Sequence, residues 1–260
     1  MALLVVKKDG LLLETTLPAK HRNDPKIVLA AIAQNKKAAA YIAEVFARNS
    51  EFMLDAAKIN IYALKYADQS LKKDPKFMLD AVKIDFNALK YADQSLKKDR
   101  EFMLDAAKIN IYALKYADDS LKMDREFMLY AAKIDFNALR YADQSLREDF
   151  DFMLRLAKEI GIDAVDIYAD YSLWERLLDN EEIALLVVKK NGLLLKHLPE
   201  KYSNDPKIVF AAVAQNKEAA AYIGAVFKAE NCTSDPYSTA LPVLDSKQQD
   251  KLNTKGLGLT

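Results

Sequence analysis

Phe52-Met53-Leu54-Asp55-Ala56-Ala57-Lys58-Ile59-Asn60-Ile61-Tyr62-Ala63-Leu64-Lys65-Tyr66-Ala67-Asp68-Gln69-Ser70-Leu71-Lys72-Lys73-Asp74 returns at 102–124, changed only at Asp119 and Met123. A related string fills 77–99 and 127–149, where Lys83-Ile84-Asp85-Phe86-Asn87-Ala88-Leu89 recurs as Lys133-Ile134-Asp135-Phe136-Asn137-Ala138-Leu139. Working outward, units fall at 1–25, 26–50, 51–75, 76–100, 101–125 and 126–150 without a gap. A longer seventh unit occupies 151–182. Residues 183–206 and 207–231 then repeat the first two units, since 184–195 matches 2–13 and 204–215 matches 23–34 with two changes. A polar tail, 232–260, closes the sequence. Self-similarity of this kind marks a stack of small units, none of which buries its apolar face alone.

Numbering each unit from 1 to 25 exposes its punctuation. Column 24 holds Asp24, Asn49, Asp74, Asp99, Asp124 and Asp149, residues whose side-chain oxygens cap the unpaired N–H groups of a helix start. Pro25, Pro75 and Pro206 follow, at the one helical position where a missing N–H costs nothing. Column 10 holds Gly10, Asn35, Asn60, Asp85, Asn110 and Asp135, types that tolerate the left-handed backbone ending a helix. These marks predict a helix A over columns 25–9 and a helix B over columns 11–23. At 100° per residue, helix A is apolar at columns 2, 3, 4, 6, 7 and 9, as in Phe52, Met53, Leu54, Ala56, Ala57 and Ile59, and is expected to be buried on most sides. Helix B keeps Ala63, Leu64, Tyr66, Ala67 and Leu71 inside and turns a wide polar arc, with Tyr62, Lys65, Asp68, Gln69 and Lys72, outward. The fold class this predicts is all-α, an α-solenoid of tandem helical hairpins with a 25-residue repeat.

The pattern Phe-Met-Leu-x-Ala-x-Lys-Ile-[Asn/Asp]-x-x-Ala-Leu-x-Tyr-Ala-Asp-x-Ser-Leu-[Lys/Arg] resembles a tandem helical repeat classed as a domain of unknown function. The likeness is close over 51–150 and looser in the flanking units. The family's Asn-Gly turn is present as Asp9-Gly10 and Asn191-Gly192, whereas the central units carry Asn-Ile or Asp-Phe. That family is common in effectors secreted into host cells by amoeba-infecting intracellular bacteria. The resemblance therefore implies a helical fold and a host-cytosol setting; the alternative is cytoplasmic. It implies no particular chemistry.

Composition narrows the function. Lys plus Arg number 38 and Asp plus Glu 38, giving zero net charge and no electrostatic reason to bind phosphate backbones or anionic lipid. The single cysteine, Cys232, excludes an internal disulfide and a cysteine metal cluster. No apolar run approaches the roughly 20 residues of a membrane-spanning helix. The apolar opening lacks the basic stretch of a secretory signal and recurs at 184–190, so it reads as structure. The recurring aspartates, Asp55, Asp80 and Asp105 with Asp68, Asp93, Asp118 and Asp143, read as a solvated face or an inter-repeat salt-bridge row. A catalytic site needs one unique constellation instead. His21 and His197 lack companions for a metal, Cys232 lacks an activating neighbour, and Gly256-Leu257-Gly258 is no phosphate loop. No catalytic, cofactor-binding or metal-binding residue is assigned.

The Phe52, Phe77, Phe102 and Phe127 ladder reads as core, and Tyr41, Tyr66, Tyr91, Tyr116 and Tyr141 as core with wet hydroxyls. Columns 12 and 15 differ. Tyr62, Asn87, Tyr112 and Asn137 alternate on the polar arc beside Lys65, Lys90, Lys115 and Arg140. Aromatics amid regularly spaced cations suit acidic peptides, or stacked bases. These eight residues and Trp174, the sole tryptophan, are the candidate protein-binding residues. The expected function is a protein-binding repeat scaffold acting on a host protein. The alternatives are a single-stranded nucleic-acid binder, disfavoured by charge neutrality, and, last, an enzyme. Unit 151–182 is expected to hold a longer second helix containing Trp174 that redirects the array. The tail is expected to cap the final unit through Tyr237, Leu241, Val243 and Leu244. Its end, 246–260, reads either as an ordinary frayed terminus or as a segment resembling the C-terminal export signals of such effectors.

Overall fold

The computed structural model describes residues 1–42, 44–224 and 227. Among these residues every element is helical and no strand is present. The chain forms two compact units, Met1–Leu146 and Arg147–Thr260.

In the first unit, the ten-residue α-helices Pro25–Gln34, Ser50–Ile59, Pro75–Ile84, Arg100–Ile109 and Arg125–Ile134 stand where the sequence predicts helix A. Column 24 caps them: Asp74 Oδ1 accepts from the Lys76 and Phe77 N–H groups at 2.9 and 3.3 Å. Asn49, Asp99 and Asp124 accept from Phe52, Phe102 and Phe127 at 2.9, 2.8 and 2.7 Å. Pro25 and Pro75 open their helices. Phe77, Met78, Ala81 and Val82 are buried, as are their counterparts in neighbouring repeats. The buried stripe is nevertheless narrower than predicted. Leu54, Leu79 and Leu104 are half-buried, and Ile59, Ile109 and Ile134 are 42%, 38% and 38% exposed. Columns 4 and 9 lie off the centre of a stripe made by columns 2, 3, 6 and 7.

The second half of each repeat departs from prediction more sharply. Helix B is a six-residue 3₁₀ helix followed by a separate short α-turn. The 3₁₀ helices are Ile61–Tyr66, Phe86–Tyr91, Ile111–Tyr116 and Phe136–Tyr141. The turns include Gln69–Lys73, Gln94–Lys98 and Asp119–Lys122. Two acidic or amide side chains per repeat cause the split. The column-10 residue is not left-handed but extended, with Asn60 at φ −155°, ψ 112°, and its Oδ1 accepts from the Tyr62 N–H at 3.0 Å. Asp68 repeats the device, accepting from the Ser70 N–H at 2.9 Å and its hydroxyl at 2.7 Å. Such side chains compete with a continuous helix for backbone donors. The Asp68 N–H donates across repeats to the Ala47 carbonyl at 2.9 Å. Asp93 to Lys72, Asp118 to Lys97 and Asp143 to Lys122 repeat that bond at 2.9, 2.9 and 3.0 Å. The column-18 aspartates are thus caps and inter-repeat stitches. Their Asp-x-Ser spacing was the sequence signal. Asp93→Ala, which strips the Ser95 N–H of its acceptor, is expected to lower unfolding free energy by about 1 kcal/mol in a denaturant titration. An unchanged midpoint would contradict the capping role.

Ala88 and Leu89 of the 3₁₀ helix, then Ala92 and Leu96, complete the core of their repeat. At the chain's start the register differs by one residue. Asp9, not Gly10, takes the extended cap position and accepts from the Leu11 N–H at 3.0 Å. Gly10 instead donates to Gln34 Oε1 at 2.6 Å, while Gln34 Nε2 donates to the Lys8 carbonyl at 3.3 Å.

The second unit holds Phe150–Glu159, Ile162–Tyr168, Tyr171–Leu178, Glu181–Lys190 and Pro206–Gln215 as α-helices. Gly192–His197 and Lys217–Tyr222 are 3₁₀ helices. The Gln34 bracket recurs here, with Gly192 donating to Gln215 Oε1 at 2.6 Å and Gln215 donating to the Lys190 carbonyl at 3.2 Å. The irregular repeat does not contain one longer second helix. Its added residues make two true α-helices of seven and eight residues. They are split before Asp170, which accepts from the Leu173 N–H at 2.7 Å. Gly161, at φ 122°, separates the first of them from Phe150–Glu159. The tail 232–260, with Cys232 and the expected cap and export segment, lies outside the described residues.

Candidate binding surface

The 3₁₀ geometry rearranges the predicted polar arc. Three residues per turn eclipse positions i and i+3, so column 15 stands over column 12. Lys65 Nζ accordingly lies 5.5 Å from the Tyr62 ring centroid and 5.7 Å from that of Tyr66, and donates to the Tyr62 hydroxyl at 3.3 Å. The two tyrosines meet edge to face at 5.8 Å. Their hydroxyls are 3.4 Å apart. That hydrogen bond, with burial and neighbouring tyrosines, pushes Tyr66 up to about 12. The same bond and Lys65 push Tyr62 down.

Two repeats on, Tyr112 is exposed. It packs on Phe86 at 5.9 Å, with the Arg140 guanidinium 5.8 Å from its ring centroid. Lys115 lies 5.7 Å over Tyr116. Lys90 is exposed, and its carbonyl accepts from Lys97 Nζ at 3.4 Å. Asn87 and Asn137 are half-buried and tied into local turns. Each donates its side-chain amide to the preceding column-10 aspartate at 2.8 Å, and Asn87 Oδ1 also accepts from the Tyr116 hydroxyl at 2.6 Å. Their part is to hold the turn. The structure therefore brings together Tyr62, Lys65, Lys90, Tyr112, Lys115 and Arg140 on successive 3₁₀ helices of one unit. Trp174 belongs to the other unit and is half-buried.

Lys58, Lys83 and Lys108 are each paired at 2.8 Å with the aspartate three residues earlier. Lys72 Nζ serves the Lys65 carbonyl at 2.8 Å, and burial pushes its pKa down. Lys65, Lys90, Lys115 and Arg140 have no carboxylate partner among the described residues. Sequence reasoning found the residue types of this strip but missed the column-22 lysines, whose role depends on carbonyls freed by the 3₁₀ break.

A family model for a domain of unknown function, DUF4116, matches residues 49–97, 74–122, 99–147, 124–163 and 180–225. The chain belongs to this family. Four of the DUF4116 matches begin at Asn49, Asp74, Asp99 and Asp124, the residues that cap the long helices. The successive matches make the chain a tandem-repeat protein, whose regular elements are all helical among the described residues; the family description assigns it no activity. No curated protein and no solved structure matches the DUF4116 chain. Among the described residues no helix is long and apolar enough to cross a membrane.

Proposed function

We propose that the chain is an α-solenoid of 25-residue repeats that acts as a protein-binding scaffold, with its strip of 3₁₀ helices receiving an extended acidic segment of another protein. One observation carries the reading. Lys58, Lys83 and Lys108 of the long helices are paired within their own helix, whereas Lys65, Lys115 and Arg140 lie over tyrosine rings and, with Lys90, have no carboxylate partner among the described residues. Tyrosine and arginine are the side chains that concentrate binding energy at protein interfaces. Unpaired cations add selection for acidic partners and faster encounter. Zero net charge favours a protein over a nucleic acid, whose backbone demands an excess of cations. The resemblance to a repeat family common in secreted effectors supports the reading that the partner is a host protein, met in the host cytosol after secretion.

The test is the variant Lys65→Glu, Lys90→Glu, Lys115→Glu, Arg140→Glu in capture from host-cell lysate. Capture is expected to fall more than tenfold while the circular dichroism spectrum is unchanged. Undiminished capture would place the binding surface elsewhere.

A further inference from the structure

The second unit contains a cleft that the scaffold reading does not use. It has a volume of ≈ 330 Å³ and lies between the paired helices Ile162–Tyr168 and Tyr171–Leu178 and the helix Glu181–Lys190 with the segment after it. Ile162, Leu178, Val187 and the ring of Trp174 supply apolar wall, and Asp166, Lys190 and His197 supply polar edge. The charges at this edge are not balanced. The Lys190 ammonium is committed to the Asp163 carboxylate. Asp166 is exposed and has no cationic partner among the described residues. Beside the engaged Lys190 and the His197 edge, the cleft therefore holds one carboxylate without a cationic partner among the described residues, an indole and aliphatic walls.

Those three features select one chemistry. A carboxylate attracts a cation. Tryptophan is the best of the aromatic side chains for a cation seated against its face. Aliphatic walls reward a methylene stem, as when lysine and arginine lay theirs along apolar surface. The volume lies at the lower end of ligand-pocket sizes, which suits a single stem and head group better than a folded segment. We propose that this cleft binds an organic cation, a guanidinium or ammonium carried on an aliphatic stem. Two sources supply that chemistry: a free small amine, or an arginine or lysine side chain of another protein. The site is independent of the 3₁₀ strip, lies in the other compact unit, and prefers the opposite charge.

The protein carries its own reporter, because Trp174 is the sole tryptophan and lines the cleft. The full chain is titrated with butylguanidinium while tryptophan emission is followed. The expected result is a saturable change, with affinity at least tenfold weaker in the Asp166→Asn variant. Butylurea, the neutral isostere, should likewise bind at least tenfold more weakly to the unmodified chain. Circular dichroism of Asp166→Asn should match that of the unmodified chain, since Asp166 is exposed. No saturable change with butylguanidinium would overturn the proposal, as would equal binding of butylurea or an undiminished response in Asp166→Asn. A Gly-Gly-Arg-Gly-Gly peptide supplies the second arm. Tighter binding than butylguanidinium assigns the site to a protein side chain, and weaker binding assigns it to a free amine.

Discussion

Leu114→Ala is expected to lower the unfolding free energy by about 2–5 kcal/mol, the range for deleting a fully buried leucine. Leu114 is 1% exposed, on the 3₁₀ helix Ile111–Tyr116, and lies in the core with Met103, Ala106 and Ala113. No polar side chain is buried among the described residues, so this core has no hydrogen-bond network to compensate for a lost packing contact. Stability in a repeat array is close to a sum of unit terms and nearest-neighbour terms. A lesion in a central repeat therefore also weakens the coupling between its flanks. Guanidinium titration followed by circular dichroism should show a lower midpoint and a broader or two-step transition. A loss under about 1 kcal/mol would mean that the site collapses around the cavity and that the repeat is more loosely packed than described.

Gly192→Ala is the second large effect. A methyl group there would sit 2.1 Å from the Ala212 carbonyl oxygen and 3.2 Å from Gln215 Oε1, the atom that accepts the Gly192 N–H. Backbone cannot yield as a flexible side-chain end would, so the expected cost is that of overpacking, about 1–3 kcal/mol. Gly10→Ala, with the Ala31 carbonyl at 2.3 Å, should behave alike. Gly161→Ala provides the contrast. Its methyl group meets nothing within 4 Å, so any loss there comes from the backbone conformation alone, φ 122° and ψ 164°, about 1–3 kcal/mol. If Gly192→Ala unfolds at the same midpoint as the unmodified chain, the close approach of these two segments is wrong.

These glycines also show how far the sequence could be read. Asp9-Gly10 and Asn191-Gly192 look like helix terminators of the usual kind. In the structure the acidic or amide residue does the turning, and the glycine makes room for a neighbouring carbonyl. Such a role depends on a segment some twenty residues away and leaves no local mark. The long helices were legible because caps and a 3.6-residue period agreed from repeat to repeat, with proline at the first helical position at Pro25, Pro75 and Pro206. Helix B was not, because a wheel drawn at 100° per residue suits an α-helix, and the chain there turns at about 120°. Asp68-Gln69-Ser70 did carry the warning, since an aspartate two residues before a serine invites a local turn. The cations and tyrosines of the 3₁₀ strip were legible as types. The retirement of Asn87 and Asn137 into turns was not, because it follows from the extended backbone at Asp85 and Asp135. The cleft beside Trp174 is a product of packing between an irregular repeat and its successor, which no periodic reading of the chain describes.

The docking role of the 3₁₀ strip is tested most directly by position-specific crosslinking. A photoreactive residue is placed at Tyr112, exposed on the strip, and in a separate variant at Lys83, exposed on the long helix Pro75–Ile84. After irradiation with the captured partner, a covalent adduct from position 112 and none from position 83 is the predicted result. An adduct from position 83 and none from position 112 would contradict it.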